Sequence, residues 1–276
     1  MINSDNLGLP FEYQKYPDFF DALNINDDTA KKNAIIANLL KLNKVKTVLD
    51  FTCGTGSQVF FLTDHGYQCT GVDFSPVPLQ AARGRALQEK LNIQWIDGDM
   101  RTLQVGQFDA VITIFNAIGH LIHADFEIAL KNIHRNLKEG GIYVFDILNA
   151  AVMDESTVAN LSYHVHKKVG DGQIYSAQCS TFDSQSNCLT SYNMVMIQER
   201  ANVPHRFTEE YALQLYTAEE LKEILNKNGF EIVGQYGIDG EEFFPDKTLS
   251  MLTVARAIKG QITDLPLLCI MAGLFT

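Results

Sequence analysis

Residues 46–58 read KTVLDFTCGTGSQ, and the fold is decided there. Val48 and Leu49 begin an apolar strand, and Asp50 closes it. Gly54-Thr55-Gly56 turns the chain, and a helix opens near Ser57. Glycine suits a tight turn because no Cβ blocks a ligand from the backbone. The helix behind it aims free N–H groups at the same point, which favours a carboxylate or phosphate there. A second strand, QCTGVD, ends in Asp73. That is the spacing at which an acidic side chain reaches ribose hydroxyls in nucleotide-binding βαβ units.

The same rhythm continues downstream. Ser75-Pro76 places an N-cap and a first-turn proline at the start of a helix. Residues 92–96 form a third strand, ending at the Asp97–Met100 turn. FDAVITIF (108–115) is a fourth, apolar enough to be buried on both faces of a parallel sheet. A helix over 124–137 is broken by Glu139-Gly140-Gly141, and IYVFDIL (142–148) is a fifth strand. Upstream, Asp27 or Asp28 can cap a helix carrying the stripe Ile35, Ile36, Leu39, Leu40. Before it, Phe11, Tyr13, Tyr16, Phe19 and Phe20 form an aromatic stripe at near-helical spacing, and residues 1–8 read as disordered. Alternating strands and helices specify a doubly wound α/β, Rossmann-like fold with a seven-stranded, mostly parallel sheet.

After Asn149 the period changes. In 187–197, Leu189, Ser191, Asn193, Val195 and Ile197 alternate with Cys188, Thr190, Tyr192, Met194 and Met196. In 205–215, Phe207, Glu209, Tyr211, Leu213 and Leu215 share one face. These runs predict an antiparallel sheet inserted into the α/β core. Thr217 and Glu220 form a capping box for the helix that returns the chain to the core. The expected organisation is a core of 1–150 plus 217–258 and an inserted substrate and dimerisation subdomain at 151–216. The tail, 259–276, is apolar and too short to cross a bilayer.

Composition excludes several classes. The formal net charge of −11 argues against a nucleic-acid partner. The basic cluster Lys31, Lys32, Lys41, Lys44 and Lys46 reads as the solvated face of one helix. Five cysteines with no C-x-x-C pair and no signal peptide point to a reducing, cytoplasmic setting. The histidines and acids show no metal-binding spacing, so no metal site is expected, and no membrane partner is implied.

Two features argue against a dinucleotide at the glycine turn. Val59 stands where a third glycine is expected, and Asp50 would repel a pyrophosphate. Asp50 suits a cation, and S-adenosylmethionine (SAM) offers an ammonium and a sulfonium together with a ribose. VLDFTCGTG, GVDFS and GDM (Gly98, Asp99, Met100) resemble the successive motifs of the class I SAM-dependent methyltransferase family. Thr52 departs from the glycine commonest in the first motif. The resemblance implies a cofactor site of Asp50, Thr52, Cys53, Gly54, Thr55, Gly56, Asp73, Phe74, Asp99, Met100, Phe115 and Asn116.

ITIFNAIGHL after the fourth strand, YQKYPDFFD near the start and HRFTEEYALQLYTAEEL after the insertion resemble sugar-amine N,N-dimethyltransferases. They resemble glycine N-methyltransferase more loosely. That resemblance implies a small-molecule amine acceptor and puts Tyr16 and His120 beside the reacting nitrogen; the surface of the inserted sheet, with the apolar tail as competitor, is the expected contact of a possible homodimer. Histidine ordinarily titrates near neutrality and can take a proton from an amine, and a tyrosine hydroxyl can orient the lone pair. Proximity and orientation supply most of the remaining rate. O-methylation of a metabolite, a SAM-binding protein without catalysis and an NAD-type oxidoreductase remain the competing functions.

Overall fold

A computed structural model of the chain describes residues 11–258. The expected disordered start and the apolar tail lie outside those residues. Strands β1 (Thr47–Asp50), β2 (Gln68–Asp73), β3 (Gln94–Asp97), β4 (Phe108–Thr113) and β5 (Leu137–Leu148) are joined by β10 (Phe230–Gly237) and β11 (Ser250–Ala257) in one seven-stranded sheet. Its order is β10-β11-β5-β4-β1-β2-β3. The pairs β1–β2, β1–β4, β2–β3 and β4–β5 are parallel, and β11 runs antiparallel to both its neighbours.

Period-two alternation within the central strands explains why both faces are covered. Leu49, Val111, Tyr143 and Phe145 face one apolar cluster, shared with Phe126, Leu130 and Ile133 of helix α6 (His123–Arg135). Val48, Ala110, Ile112 and Val144 face the other, shared with Ile36, Leu39 and Leu40 of helix α3 (Asp27–Leu42). Each such fully buried aliphatic side chain is stabilised by about 1.5–3 kcal/mol relative to exposure. Helices α4 (Ser57–Asp64) and α5 (Pro76–Gln88) make the first two crossovers, and α8 (Ala218–Lys227) returns the chain to the core sheet. The Thr217–Glu220 capping box is present.

Strands β6 (Tyr163–Val169), β7 (Gly172–Asp183), β8 (Cys188–Gln198) and β9 (His205–Gln214) form a separate antiparallel sheet, reached through the short helix α7 (Glu155–Asn160). The inward row of β8 is Leu189, Ser191, Asn193, Val195 and Ile197, all buried, while Tyr192 and Met194 are exposed.

Several local details differ from the sequence expectation. The N-terminal aromatic stripe is two helices, α1 (Phe11–Lys15) and α2 (Pro17–Asn24), because Pro17 starts a new helix with Tyr16 at its N-cap. Asn26, not Asp27 or Asp28, caps α3, accepting from Asp28 and Thr29 N–H, while the two aspartates sit in the first turn. Ser75 stands at the N-cap position, but its hydroxyl makes no cap bond.

Strand β4 ends before Phe115 because Phe115 and Asn116 take positive φ (66° and 56°). Strand β5 begins five residues early. Its pairing with β4 jumps from Phe108↔Leu137 to Ala110↔Ile142, so 138–141 bulge outward. Lys32 is not part of a solvated face: its side chain is 13% exposed and pairs with Asp146 at 3.0 Å.

Candidate active site

The C-terminal ends of β1, β2 and β4 open into a cavity of about 520 Å³. One wall is the glycine turn. Phe51 N–H donates to Ile112, and Cys53 N–H donates to Val72, so both neighbouring strands clamp the turn. Gly54 has φ +53° and Gly56 has φ +92°. A Cβ on Gly56 would stand 2.7 Å from both the Phe60 and the Trp95 rings, so only glycine fits there.

Asp73 organises this wall. Its Oδ1 accepts from Ser75 N–H at 2.8 Å. Its Oδ2 accepts from Gly54 N–H at 2.8 Å and from the Tyr13 hydroxyl at 2.7 Å. Burial pushes the Asp73 carboxyl up, and these three donors pull it back without cancelling the rise. The Tyr13 hydroxyl is raised by its own burial and by Asp73.

Asp50 lies directly beneath. Its Oδ1 accepts from Thr52 N–H at 3.0 Å, while Oδ2 has no hydrogen-bond partner among the described residues. Burial pushes its carboxyl to about 8, with a smaller push from Asp73 and an opposing pull from the Thr52 amide. Thr52 Oγ1, Gln58 Nε2 and Asn116 Oδ1 are likewise buried and unpartnered among the described residues. Buried polar atoms are nearly always satisfied in folded proteins. A cluster of unpaired donors and acceptors around one turn therefore fits a polar ligand.

Farther along this wall, Arg101 grips the Asp99 carboxylate with Nε (2.9 Å to Oδ2) and Nη2 (2.6 Å), and also pairs with Asp125. Burial raises the Asp99 carboxyl, but the Arg101 hydrogen bonds outweigh it and hold Asp99 below its ordinary value. Phe74 is 62% exposed at the cavity edge, and Met100 lies in the lining.

The opposite wall comes from distant segments. Residues 115–116 lead into a single 3-10 turn, Ala117–His120. Holding two non-glycine residues in the left-handed region costs roughly 1–3 kcal/mol each. Gly119 permits close packing there: a Cβ would meet Ile147 at 3.0 Å and Leu213 of β9 at 3.2 Å. His120 lines the cavity, with its ring centroid 6.3 Å from that of Tyr211. The Tyr211 hydroxyl donates to Gln178 at 2.8 Å. From α2, Phe20, Asp21 and Asn24 complete the wall. Asp21 accepts from the Thr55 hydroxyl at 3.0 Å. Burial raises its carboxyl to about 6 against that bond.

A profile of the methyltransferase domain matches residues 48–141, the stretch from β1 into β5. The chain is 31% identical over 138 residues to human glycine N-methyltransferase, covering 44% of this chain and 47% of that one. The chain thus spans under half the length of that relative. Among solved structures, a SAM-dependent methyltransferase from Clostridium acetobutylicum superposes with a TM-score of 0.74 at 17% identity, covering 89% of this chain and 99% of that one. The sugar N-methyltransferase KedS8 from Streptoalloteichus superposes at 0.73 and 19%, covering 91% and 96%. Residues 48–141 are thus a methyltransferase domain, and the chain around them has the fold of SAM-dependent methyltransferases.

The cavity gathers Thr52, Cys53, Gly54, Thr55, Asp73, Phe74, Asp99, Met100, Phe115, Asn116 and His120 of the residues expected from sequence. Asp50 and Gly56 are not among the lining residues, although Asp50 Oδ2 is left without a partner among the described residues. Tyr16 is not brought to the cavity. Its ring meets Phe19 edge-on at 6.2 Å and packs toward Ile174, Val195 and Ile197 of the second sheet, because Pro17 turns it away from the glycine turn. Tyr13, one helical turn earlier, takes the place beside Asp73. Tyr13, Asp21, Asn24, Gln58, Arg101, Asp125 and Tyr211 are among the polar lining residues that the sequence did not single out. Tyr13 and Tyr211 lay within recognised stripes, but nothing in those stripes marks which member reaches a cavity. Cys53 is buried, and burial raises its thiol, so it is a filler of the turn, not a nucleophile.

Proposed function

We propose that this methyltransferase transfers a methyl group from SAM to the nitrogen of a small-molecule amine. SAM supplies an electrophilic methyl carbon on a sulfonium. The chain's own groups fit such a ligand. Asp73, facing the turn with two acceptor oxygens, would hold the ribose diol. The unpaired Asp50 Oδ2 and Gln58 Nε2 match an ammonium and a carboxylate respectively. Phe74 and Met100 offer apolar surface for a flat base.

One observation carries the choice of acceptor. His120 lines the same cavity as the glycine turn, on the wall built from the 115–120 turn and β9. An amine that is protonated in solution must lose a proton before its lone pair can attack, and an imidazole in the cavity wall can accept it. The remaining acceptor wall, with Phe20, Ile25, Leu121 and Leu213, excludes water and orients the nitrogen. Glycine N-methyltransferase and the sugar N-methyltransferase, both nitrogen methylators by name, support the same reading.

The test is incubation with SAM and a panel of small amines, phenols and alcohols, following S-adenosylhomocysteine release and the mass of each product. Methylated amines are expected. Methyl gain on hydroxyl compounds alone would replace this reading with O-methylation. Tight SAM binding with no turnover on any acceptor would replace it with a SAM-binding role.

A further inference from the structure

Phe115 and Asn116 are successive non-glycine residues in the left-handed region. Such a backbone persists only where its surroundings over-determine it. Two side chains from other elements do so here. Asp146, near the end of β5, accepts the Asn116 N–H on Oδ1 at 3.2 Å. Its Oδ2 pairs with Lys32 of α3 at 3.0 Å. The same Lys32 ammonium sits 4.3 Å from the centroid of the Phe115 ring. One ion pair thus touches both strained residues.

Neither Lys32 nor Asp146 lines the cavity, whereas Phe115, Asn116 and His120 do. The pair is deeply placed, with side chains 13% and 1% exposed. A buried ion pair contributes little net stability compared with apolar packing of the same volume. Its value here is geometric. The turn it fixes carries Phe115 at its start and His120 at its end, and closes internally through the Gly119 N–H on the Asn116 carbonyl at 2.8 Å.

We propose that Lys32 and Asp146 are positioning residues that hold the 115–120 turn in its strained form and so aim Phe115 and His120 at the acceptor. The kinetic half of this inference rests on the amine-methylation reading. The structural half does not.

Lys32→Met is expected to lower kcat for the amine turned over by the wild type by about 10²-fold. S-adenosylhomocysteine affinity, by calorimetry, should fall by much less than kcat. Lys32→Arg, which keeps both the charge and a cation for the ring, should recover most of the rate. The loss should shrink in an Asn116→Gly background, since glycine takes the left-handed form without strain. If Lys32→Met does not fold, Lys32→Met/Asp146→Asn removes the cation without stranding a buried charge, and should show the same split.

An unchanged kcat in a folded variant overturns the proposal. So does S-adenosylhomocysteine affinity falling in step with turnover, or a loss undiminished in the Asn116→Gly background. If the wild type methylates no amine, the proposed function falls by itself. The positioning role is then read from the His120 imidazole resonances, assigned with His120→Gln. These should move in Lys32→Met and return in Lys32→Arg, and resonances that stay in place overturn it.

Discussion

The two walls of the cavity are built on different principles. The glycine-turn wall is local: Asp50 through Gln58, with Asp73 from the neighbouring strand, held by backbone N–H groups donating to carboxylates at 2.8–3.0 Å. The opposite wall, proposed to receive the acceptor, is assembled from α2, the 115–120 turn and β9, segments separated by about a hundred residues each. The first wall follows from the strand ends of β1 and β2 and the short glycine turn between β1 and α4. The second is drawn from segments far apart in the chain, and it touches the first where Asp21 of α2 accepts from the Thr55 hydroxyl.

The largest effect expected to break this division is at His120. His120→Asn should keep SAM affinity and lower turnover about 10²–10⁴-fold, with the loss shrinking as pH rises and free amine becomes abundant. Steady-state kinetics beside calorimetry would show it. Wild-type turnover at neutral pH would remove His120 from the chemistry.

Next comes Asp73. Asp73→Ala takes away the acceptor for two ribose hydroxyls, at about 1.5–3 kcal/mol per charged hydrogen bond, or at least about 10²-fold in SAM affinity. It also strands the Gly54 and Ser75 amides, so the melting temperature should fall. Unchanged affinity in a calorimeter would contradict the assignment of this wall to the cofactor.

A pH dependence should separate the walls further. In the free protein burial holds the Asp50 carboxyl up near 8, so it is protonated at neutral pH. A bound cation favours the carboxylate and lowers that value, so binding releases a proton. SAM affinity should therefore rise with pH below about 8 and level off above it, by at most about tenfold per pH unit. Calorimetry in buffers of different ionisation heat measures the proton directly. Flat affinity from pH 6 to 8 would mean that Asp50 stays neutral in the complex.

Smaller effects concern the two tyrosines. The Tyr13 hydroxyl occupies the same Asp73 oxygen that a ribose would use. Tyr13→Phe should thus tighten SAM binding, by up to about tenfold for one charged hydrogen bond no longer to be displaced. Weakened binding would show that Tyr13 contacts the ligand instead. Tyr16→Phe should change turnover by under about twofold, since that ring packs on Phe19 and away from the cavity.

How much was legible in the sequence follows the same division. The core strands announced themselves because burial on both faces forces apolar runs such as 108–114, and the second sheet announced itself through the alternation at 188–198. The glycine-turn wall was legible because its ligands are fixed by short spacing along the chain. Tyr16 was misplaced because an aromatic stripe does not reveal that Pro17 divides it into two helices with different faces. Lys32 was read as solvated because four neighbouring lysines shared its pattern, and its partner Asp146 is more than a hundred residues away. Arg101 was missed for another reason. Its neighbour Asp99 was taken as a ligand group, while the guanidinium two residues on already grips that carboxylate.

The reversed strand β11 has a consequence for how the molecule is made. It lies between β5 and β10, so Leu252 to Arg256 pair with Ile142 to Asp146 only after the second sheet and α8 exist. While the ribosome adds residues 149–249, on the order of ten seconds at usual elongation rates, β5 presents an unpaired edge bearing Tyr143, Val144 and Phe145. An open apolar edge invites pairing with other chains. Pairing of β11, not formation of the glycine turn, is therefore the step that closes this edge.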